Sequence, residues 1–286
     1  MYFRLHLGRK AVWILLIVLA LLAVYPVIFL SAGSLMGADE LEDCLGAVVS
    51  GAEGYASFPV LPKYPTLQHF AEVLLDSPEF FVMFWNSILI TFGVLGGQFV
   101  AGTMAAWGFA RYEFPCKRGI FLLYIVLMLL PFQVLMLSDY LLLDRLRLLD
   151  SLWAVILPGM FSTFPVFIMY RFFAEIPDSL IESARLDGAR EWQLFWYLAL
   201  PMGSSGIIAA LVLGFLEYWS LIEQPLTFIK DKSKLPLSVF LPDPTMTGKA
   251  GFLFAVSVVT FLPAIIVFMG GRDYLEQGIM AGAVKE

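Results

Sequence analysis

Residues that could do chemistry lie in two short stretches of an otherwise apolar chain. Residues 182–191, with the sequence ESARLDGARE, mix acids and bases between two long apolar segments. Glu217, Trp219 and Glu223 form a smaller group at the end of the second of these segments. Charged side chains are costly inside a bilayer unless they are paired, hydrated or face a cavity, so both groups are candidates for function.

Metal and thiol chemistry is not indicated by the sequence. The chain has two cysteines, Cys44 and Cys116, and two histidines, His6 and His69. These four residues are too few and too scattered for a metal cage or a disulfide framework. We therefore expect no metal site and no cofactor bound by this chain.

Nucleotide hydrolysis by this chain is not indicated either. The only Gly-Lys pair close to a P-loop, Gly248-Lys249, has Asp243 in place of the first glycine and Ala250 in place of the hydroxyl residue. We expect no catalytic residues and no enzyme activity of its own. The formal net charge of −6 provides no basic surface for nucleic acid.

The composition predicts an all-α membrane protein. Hydrophobic residues make up 60% of the chain and charged residues 15%, against about 45–50% and about 25% in soluble domains. A bilayer core about 30 Å thick needs roughly 20 residues of helix. Six apolar runs have that length, at residues 11–35, 80–110, 119–138, 151–170, 195–216 and 250–271. We expect six transmembrane helices in a single domain over residues 1–286.

The basic residues predict the orientation of these spans. Residues 1–10 contain three bases, and the apolar run that follows is longer than the roughly 7–15 residues of a signal peptide. We expect a retained first helix with a cytoplasmic N-terminus, and six spans return the C-terminus to the same side. Residues 36–79 then form an extracytoplasmic loop, whereas residues 172–194 and the tail 272–286 are cytoplasmic. Eleven Lys and Arg fall inside and seven outside.

A stripe of small residues runs along the second span. Gly93, Gly97, Ala101 and Ala105 recur every four residues, which places them on one helix face that a neighbouring backbone can approach closely. Packing between helices and a moving contact between subunits are both compatible with this stripe.

The charged stretch has the signals of a short helix and a turn. Pro177 and Asp178 suit a helix start, because proline lacks only a donor that would be unpaired there and the acid favours the positive end of the dipole. We expect the helix to run to about Asp187 and to end at Gly188 in a left-handed conformation. A second helix from Ala189 leads into the fifth span.

The same stretch resembles the signature loop of permease subunits in binding-protein-dependent ABC importers. Glu182-Ser183-Ala184 is followed by Gly188, Leu198 and Leu200-Pro201, where the family pattern is E-A-A, G and I-x-L-P. Ser183 and Leu198 are mild departures. Residues 184–189 resemble sugar permeases related to the second inner-membrane permease of the maltose transporter. Further segments that share this resemblance are Pro65-Thr66-Leu67, Asn86-Ser87, residues 110–115, Leu157-Pro158 and residues 281–285.

The resemblance implies a type I ABC importer permease fold in a bacterial inner membrane. It implies a second permease subunit, an ATP-binding subunit dimer that carries ATP and Mg²⁺, and an extracytoplasmic binding protein that delivers a carbohydrate. The charged stretch would then couple to the ATPase and move the spans between inward-open and outward-open states. The residues implied in ATPase coupling are Glu182, Ser183, Ala184, Asp187, Gly188 and Ala189.

The second charged group departs from the family pattern. Relatives commonly show Trp-Asn and then a proline, whereas this chain has Glu217-Tyr218-Trp219-Ser220 and later Glu223. These residues could line the path of a carbohydrate, including an amino sugar, or could form an aromatic belt with acids facing outer water. Glu217 and Trp219 point about 200° apart on a helix. We favour Glu217 for the path because it lies deeper in the bilayer, with Glu223 at the outer rim.

Other functions remain compatible with six spans and polar loops. A permease for a polyol, glycerol phosphate or a peptide would share the same signature loop. A channel or membrane sensor would have similar spans but no ATPase partner, so copurification distinguishes it.

Overall fold

The structure is a computed structural model of the 286-residue chain. It describes residues 2–49, 55, 57, 61–240 and 250–283. Helices and their connections make up these ranges, and no β-strand occurs within them. The expected all-α architecture is therefore confirmed.

Fifteen α-helices occur in the described ranges. In chain order they are α1 (Tyr2–Gly33), α2 (Ala38–Val49), α3 (Gln68–Leu75), α4 (Pro78–Gly97), α5 (Thr103–Arg111), α6 (Lys117–Leu129), α7 (Phe132–Arg145), α8 (Trp153–Met160), α9 (Thr163–Ala174), α10 (Asp178–Leu186), α11 (Glu191–Gln193), α12 (Leu200–Met202), α13 (Ser204–Trp219), α14 (Glu223–Phe228) and α15 (Ala250–Ala283). Two π-helical segments, Gln98–Gly102 and Leu194–Ala199, join α4 to α5 and α11 to α12.

The chain divides into two compact units. One comprises Met1–Phe80 and Leu241–Leu262, and the other comprises Phe81–Phe240 and Pro263–Glu286. The single domain predicted over residues 1–286 stays a prediction.

Four helical stretches in the described residues are long and apolar enough to cross a membrane. They are Lys10–Gly33, Pro78–Arg111, Trp153–Ala174 and Ala250–Glu276. Two bent pairs, α6 with α7 and α11–α12 with α13, raise the number to six if each pair is one span. The six predicted apolar runs thus correspond to these elements, but two of them are not straight helices.

The third predicted span is broken at Pro131. Leu130 has an extended backbone, as is usual before proline, and α7 starts afresh after Pro131 at 105° to α6. The predicted span over residues 119–138 is therefore formed by two helices, because Pro131 lacks the N–H that a continuous helix needs. The preceding α6 and the following α7 are each too short to span alone.

The fifth predicted span bends by 71° at Gly203. A Cβ atom on Gly203 would collide with the ring of Phe173, so the glycine allows α9 and the bend to approach closely. The predicted span over residues 195–216 therefore corresponds to a helix that is bent at Gly203.

The first unit has a small core next to the end of α1. Ala32, Met36 and Leu41 are buried there and pack with Leu45 and Phe254. The α3 helix, Gln68–Leu75, lies within residues 36–79. The sequence interpretation of residues 36–79 as a loop missed α2, whose first-turn acids are typical of a helix start.

His69 joins three parts of this unit. Its Nε2 atom lies 3.1 Å from the carbonyl oxygen of Met36, and a Cβ on Gly251 would collide with the imidazole ring. Gly251 thus lets the start of α15 lie directly against His69. The end of α1, the α3 helix and the start of α15 therefore meet at one buried histidine.

In the second unit, α5, α9 and α13 pack around the main core. Their buried residues include Ala106, Met169 and Ala210. The small-residue stripe of the second span lies against α8, since a Cβ on Gly93 would touch Ile156 and one on Gly97 would collide with Met160. The packing interpretation of this stripe is confirmed for both glycines.

The segment after α14 is held by polar side chains of the same unit. Asn86 donates to the carbonyls of Ser233 and Leu235 at 2.8 and 3.1 Å, and the Ser87 hydroxyl accepts from the N–H of Leu237 at 2.7 Å. Such side-chain bonds satisfy backbone groups that no helix or sheet would pair. They fix the course of residues 229–240.

Asp150 holds the start of the same segment. Its carboxylate accepts from the backbone N–H groups of Lys230 and Asp231 at 3.0 and 2.8 Å, and Lys234 lies 3.4 Å from its second oxygen. These two N–H donors, with the Lys234 charge as a smaller contribution, hold the pKa of Asp150 below its usual value. Asp150 itself has φ 58°, a left-handed conformation that aspartate tolerates better than most residues.

Candidate functional site

The charged stretch folds as α10 and is anchored by one apolar side chain. Pro177 has an extended backbone and Asp178 is the first helical residue, so α10 begins where the sequence predicted. Ile181 is only 3% exposed and belongs to the core around α5, α9 and α13. The α10 helix is therefore docked on the membrane-spanning helices by one face.

A left-handed glycine ends α10. Gly188 has φ +86°, and its N–H donates to the Arg185 carbonyl at 3.0 Å. The Ala189 N–H donates to the Ala184 carbonyl, also at 3.0 Å. These two bonds form a Schellman motif, which pairs carbonyls that the helix end leaves free. The predicted conformation of Gly188 is confirmed, and α11 begins at Glu191 rather than at Ala189.

Arg111 fastens the start of α10 to the ends of two spans. Its guanidinium donates to the Asp178 carboxylate and to the Phe173 carbonyl, both at 2.6 Å, and to the Ile176 carbonyl. The same group lies 5.6 Å from the centre of the Trp107 ring. The Arg111 side chain is 9% exposed and that of Asp178 is 83% exposed, so only the two carbonyl contacts are made away from bulk solvent. A planar guanidinium suits such simultaneous contacts.

Glu191 fastens the other end of α10. Its carboxylate accepts from the guanidinium of Arg185 at 3.0 and 3.3 Å and from the hydroxyl of Tyr112 at 2.8 Å. Burial and the Glu191 carboxylate together raise the pKa of Tyr112 above its usual value. The carboxylate of Glu191 therefore joins α11 to α10 and to the end of α5.

The opposite face of α10 is open. Glu182, Ser183, Asp187 and Gly188 are exposed, whereas Ala184 and Ala189 are partly buried beneath the turn. Leu186 is 89% exposed at the last turn of the helix. The residues predicted for ATPase coupling therefore lie on one short helix and its turn, with an apolar side chain at the tip.

Sequence reasoning missed the roles of Arg111 and Tyr112. Both lie in the segment 110–115 that carried part of the family resemblance, but no partner was assigned to them. An arginine directly at the end of an apolar span was the available signal. Its partner Asp178 is 67 residues away, so the pair is not readable from local spacing.

Glu217 and Trp219 face different surroundings. The Glu217 side chain is exposed. Trp219 is 5% exposed; its ring packs edge-on against Phe84 and stacks on Phe215. The two residues do not share a face. A role for either in the substrate path stays a prediction.

Glu223 lies at the first turn of α14. Both of its carboxylate oxygens accept hydrogen bonds from the side-chain amide of Gln133, at 2.8 and 2.7 Å. Gln133 belongs to the first turn of α7, so this contact joins α7 and α14 at an exposed position. The predicted position of Glu223 at an outer rim is not tested by this contact.

Buried polar groups also occur among the spans of the second unit. Gln98, at the start of a π-helical segment, donates to the Gly159 carbonyl at 3.0 Å. Polar contacts of this kind join helices within a bilayer. This one links the second and fourth predicted spans.

The described residues contain no group of three or more His, Cys, Asp and Glu side chains that could hold a metal ion. The expectation that this chain binds no metal or cofactor stays a prediction.

Spans, bends and a charged docked helix define a polytopic α-helical membrane protein. A family model described as "Binding-protein-dependent transport system inner membrane component" matches residues 98–281. This match covers more than half of the chain, and the chain belongs to that family. It is thus a membrane component of a transport system and not an enzyme.

Curated relatives with similar sequences are permease proteins. The chain is 27% identical over 279 residues to the arabinooligosaccharides transport system permease protein AraQ of Bacillus subtilis (strain 168), which covers 97% of this chain and 96% of the relative. It is 26% identical over 209 residues to the sn-glycerol-3-phosphate transport system permease protein UgpE of Yersinia pestis, covering 72% and 74%.

Solved structures show the same fold. A chain of a bacterial ABC transporter involved in the import of the acidic polysaccharide alginate matches with a TM-score of 0.79 at 18% identity, over 94% of this chain and 96% of that chain. A chain of the alginate transporter in complex with a pentasaccharide-bound periplasmic protein matches with a TM-score of 0.57 at 16% identity, covering 92% and 93%. The predicted type I ABC importer permease fold is confirmed.

Proposed function

We propose that this chain is a permease subunit of an ATP-driven importer for a carbohydrate. Its partners are a second permease, a dimer of ATP-binding subunits and an extracytoplasmic binding protein that delivers the sugar. The ATPase dimer holds ATP and Mg²⁺, and this chain supplies no catalytic residue. The observation that carries the proposal is a short charged helix, α10, fastened on one face and open on the other.

The open face of α10 suits a protein cleft. Glu182 and Asp187 offer charges for polar recognition, and Leu186 offers an apolar side chain that is 89% exposed. Burial of a leucine side chain contributes roughly 1.5–3 kcal/mol, so Leu186 is an effective anchor in an ATPase subunit. Because the other face is fastened to the spans, a movement of α10 is carried into the membrane.

The proposed orientation places α10 in the cytoplasm. The bases of residues 1–10 and the 11 to 7 distribution of Lys and Arg support cytoplasmic N- and C-termini. The loop 172–194 and the segment 272–286 then lie inside and residues 36–79 outside, in a bacterial inner membrane. α15 continues to Ala283, so helix occupies much of the predicted tail.

A carbohydrate is the preferred substrate class. Relatives named for arabinooligosaccharide transport cover nearly the whole chain, and the fold is shared with an alginate importer. A phosphate ligand would favour buried Lys or Arg within the spans, and the apolar runs supply none. Glu217 is the candidate path residue, Trp219 its alternative, and Glu223 a candidate for the outer rim.

Purification of the whole complex tests this function. The chain should copurify with ATP-binding subunits, which a channel or sensor would not do. A ligand screen of the binding protein by thermal shift should find a sugar, because a specific ligand stabilises the folded state by mass action. That loaded binding protein should stimulate ATP hydrolysis by the complex in proteoliposomes. Selective stabilisation by glycerol phosphate, a polyol or a peptide would contradict the carbohydrate assignment.

A further inference from the structure

The α10 helix is held at both ends: its start is joined to α5 and α9, and its end is joined to the end of α5 and to the segment that leads into α13. At its start, Arg111 binds Asp178 and two carbonyl groups at the end of α9. At its end, Arg185 and Tyr112 bind Glu191, the first residue of α11. Neither contact uses the open face of the helix.

The Arg111 contact joins three helix ends into one body. The guanidinium comes from the last residue of α5, and its carbonyl partners, Phe173 and Ile176, lie at and just beyond the end of α9. A cation at that position also suits the negative end of the α9 dipole, and Asp178 suits the positive end of α10. The arginine side chain is largely buried but Asp178 is 83% exposed, so salt screens the ion pair, whereas the two carbonyl contacts are partly buried.

The Glu191 contact has a different character. Arg185 and Glu191 side chains are 47% and 51% exposed, and they bridge the Gly188 turn. The bond joins the last turn of α10 to the helical segment that leads through α12 to α13. Exposed ion pairs are weak and screened by salt, but this one has two bonds and a third from Tyr112.

We propose that Arg111 and Glu191 are positioning residues that transmit displacement of α10 to the spans. Arg111 carries the movement to α5 and α9, and Glu191 carries it to the segment that enters α13. Neither residue touches ATP or the transported solute. The inference rests on the proposed function, since it requires an ATPase that moves α10.

Charge exchange tests the Glu191 contact in the assembled transporter. The variants are Arg185→Glu, Glu191→Arg and the double exchange, each reconstituted in proteoliposomes with the ATPase and the sugar-loaded binding protein. We expect each single variant to hydrolyse at least threefold more ATP per sugar imported. The double exchange should return this ratio to within twofold of the original protein, because the pair is restored with reversed charges.

A neighbouring ion pair provides the matched control. Glu113, in the loop that follows α5, and Lys117, the first residue of α6, form an ion pair of 2.9 Å, and neither is hydrogen bonded to α10. Their single charge reversals should leave the ratio of ATP to sugar unchanged. If a single variant of the Glu191 pair loses its ATPase subunit, recovery of assembly in the double exchange supports the contact. Failure to recover overturns the proposal for Glu191, as do single variants with the original ratio.

Arg111 requires a milder companion variant because it is buried. Arg111→Gln removes the charge, and Asp178→Asn removes only the ion pair while leaving the carbonyl contacts in place. We expect at least a threefold higher ratio of ATP to sugar in Arg111→Gln and a smaller increase in Asp178→Asn. If Arg111→Gln does not assemble, Asp178→Asn decides, and an unchanged ratio there overturns the role of Arg111.

Different results contradict the proposed function and the positioning role. If the original protein shows no ATP hydrolysis that responds to any sugar-loaded binding protein, the proposed function is wrong. If the original protein responds and every variant of Arg111 and Glu191 retains its ratio of ATP to sugar, only the positioning role is wrong.

Discussion

Trp219 stacks on Phe215 with ring centres 5.4 Å apart and 10° between the ring planes. The four-residue spacing of these rings places them on one side of α13, where Phe84 closes the cluster edge-on. The indole is therefore part of the packing of the second unit. Glu217 has a different direction on the same helix and is exposed on the chain.

This arrangement predicts different effects for two substitutions. Trp219→Ala should lower the thermal stability of the purified complex, because it removes two aromatic contacts that each contribute about 0.5–1.5 kcal/mol. Glu217→Gln should leave stability unchanged and raise the sugar concentration for half-maximal uptake severalfold. Normal uptake in both Glu217→Gln and Glu217→Ala, with failed uptake but normal stability in Trp219→Ala, would reverse the assignment.

Gly188 should not tolerate a side chain branched at Cβ. Its φ of +86° makes such a residue strained by about 1–3 kcal/mol, although no atom would collide with the new Cβ. Gly188→Val should therefore reduce coupled transport while normal amounts of protein reach the membrane. Gly188→Asn is the matched variant, because asparagine tolerates the left-handed region, and it should retain most activity. Equal activity of both variants would speak against the coupling role of the turn.

Asp150 should make the stability of the segment after α14 depend on pH. Its folded-state pKa lies below the unfolded value of about 3.9. The stabilisation is therefore complete above the unfolded pKa and is lost as the pH falls through the folded pKa. Asp150→Asn keeps the left-handed conformation but removes the charge. It should melt earlier than the original protein at pH 6, and the difference should shrink below about pH 4. A difference that does not change with pH would contradict this.

The two cysteines report the orientation of the chain. Cys44 lies on α2 and is partly buried, whereas Cys116 is exposed directly before α6. We expect an impermeant maleimide to reach Cys44 from outside intact cells and Cys116 only after lysis. Each single-cysteine variant should be labelled in lysed cells as a control for accessibility. Labelling of Cys116 alone in intact cells would invert the proposed topology.

Local patterns in the sequence predict part of this structure. Hydropathy located all six apolar runs, since a bilayer imposes a length on each of them. The sequence predicts a left-handed conformation for Gly188, because a glycine that follows a helix commonly adopts it and ends the helix. In contrast, α2 was missed because its acids were interpreted as loop residues, and they are compatible with either structure.

Contacts between distant residues could not be predicted in the same way. Arg111 and Asp178 meet only because α5 and α9 pack side by side in the second unit. The bend at Gly203 depends on the Phe173 ring, which is 30 residues earlier in the chain. The opposite surroundings of Glu217 and Trp219 follow from helix geometry, but which residue is buried depends on Phe84.

Cross-linking from Leu186 tests whether α10 docks on the ATP-binding subunit. Leu186→Cys, in a chain with Cys44 and Cys116 replaced by serine, places one thiol at the exposed tip of α10. A short thiol-directed cross-linker should join this position to the ATP-binding subunit in native membranes, with nucleotide changing the yield. Lys232→Cys, on the opposite proposed side, should give no such product. Cross-linking of Lys232→Cys but not of Leu186→Cys to the ATPase would contradict the account.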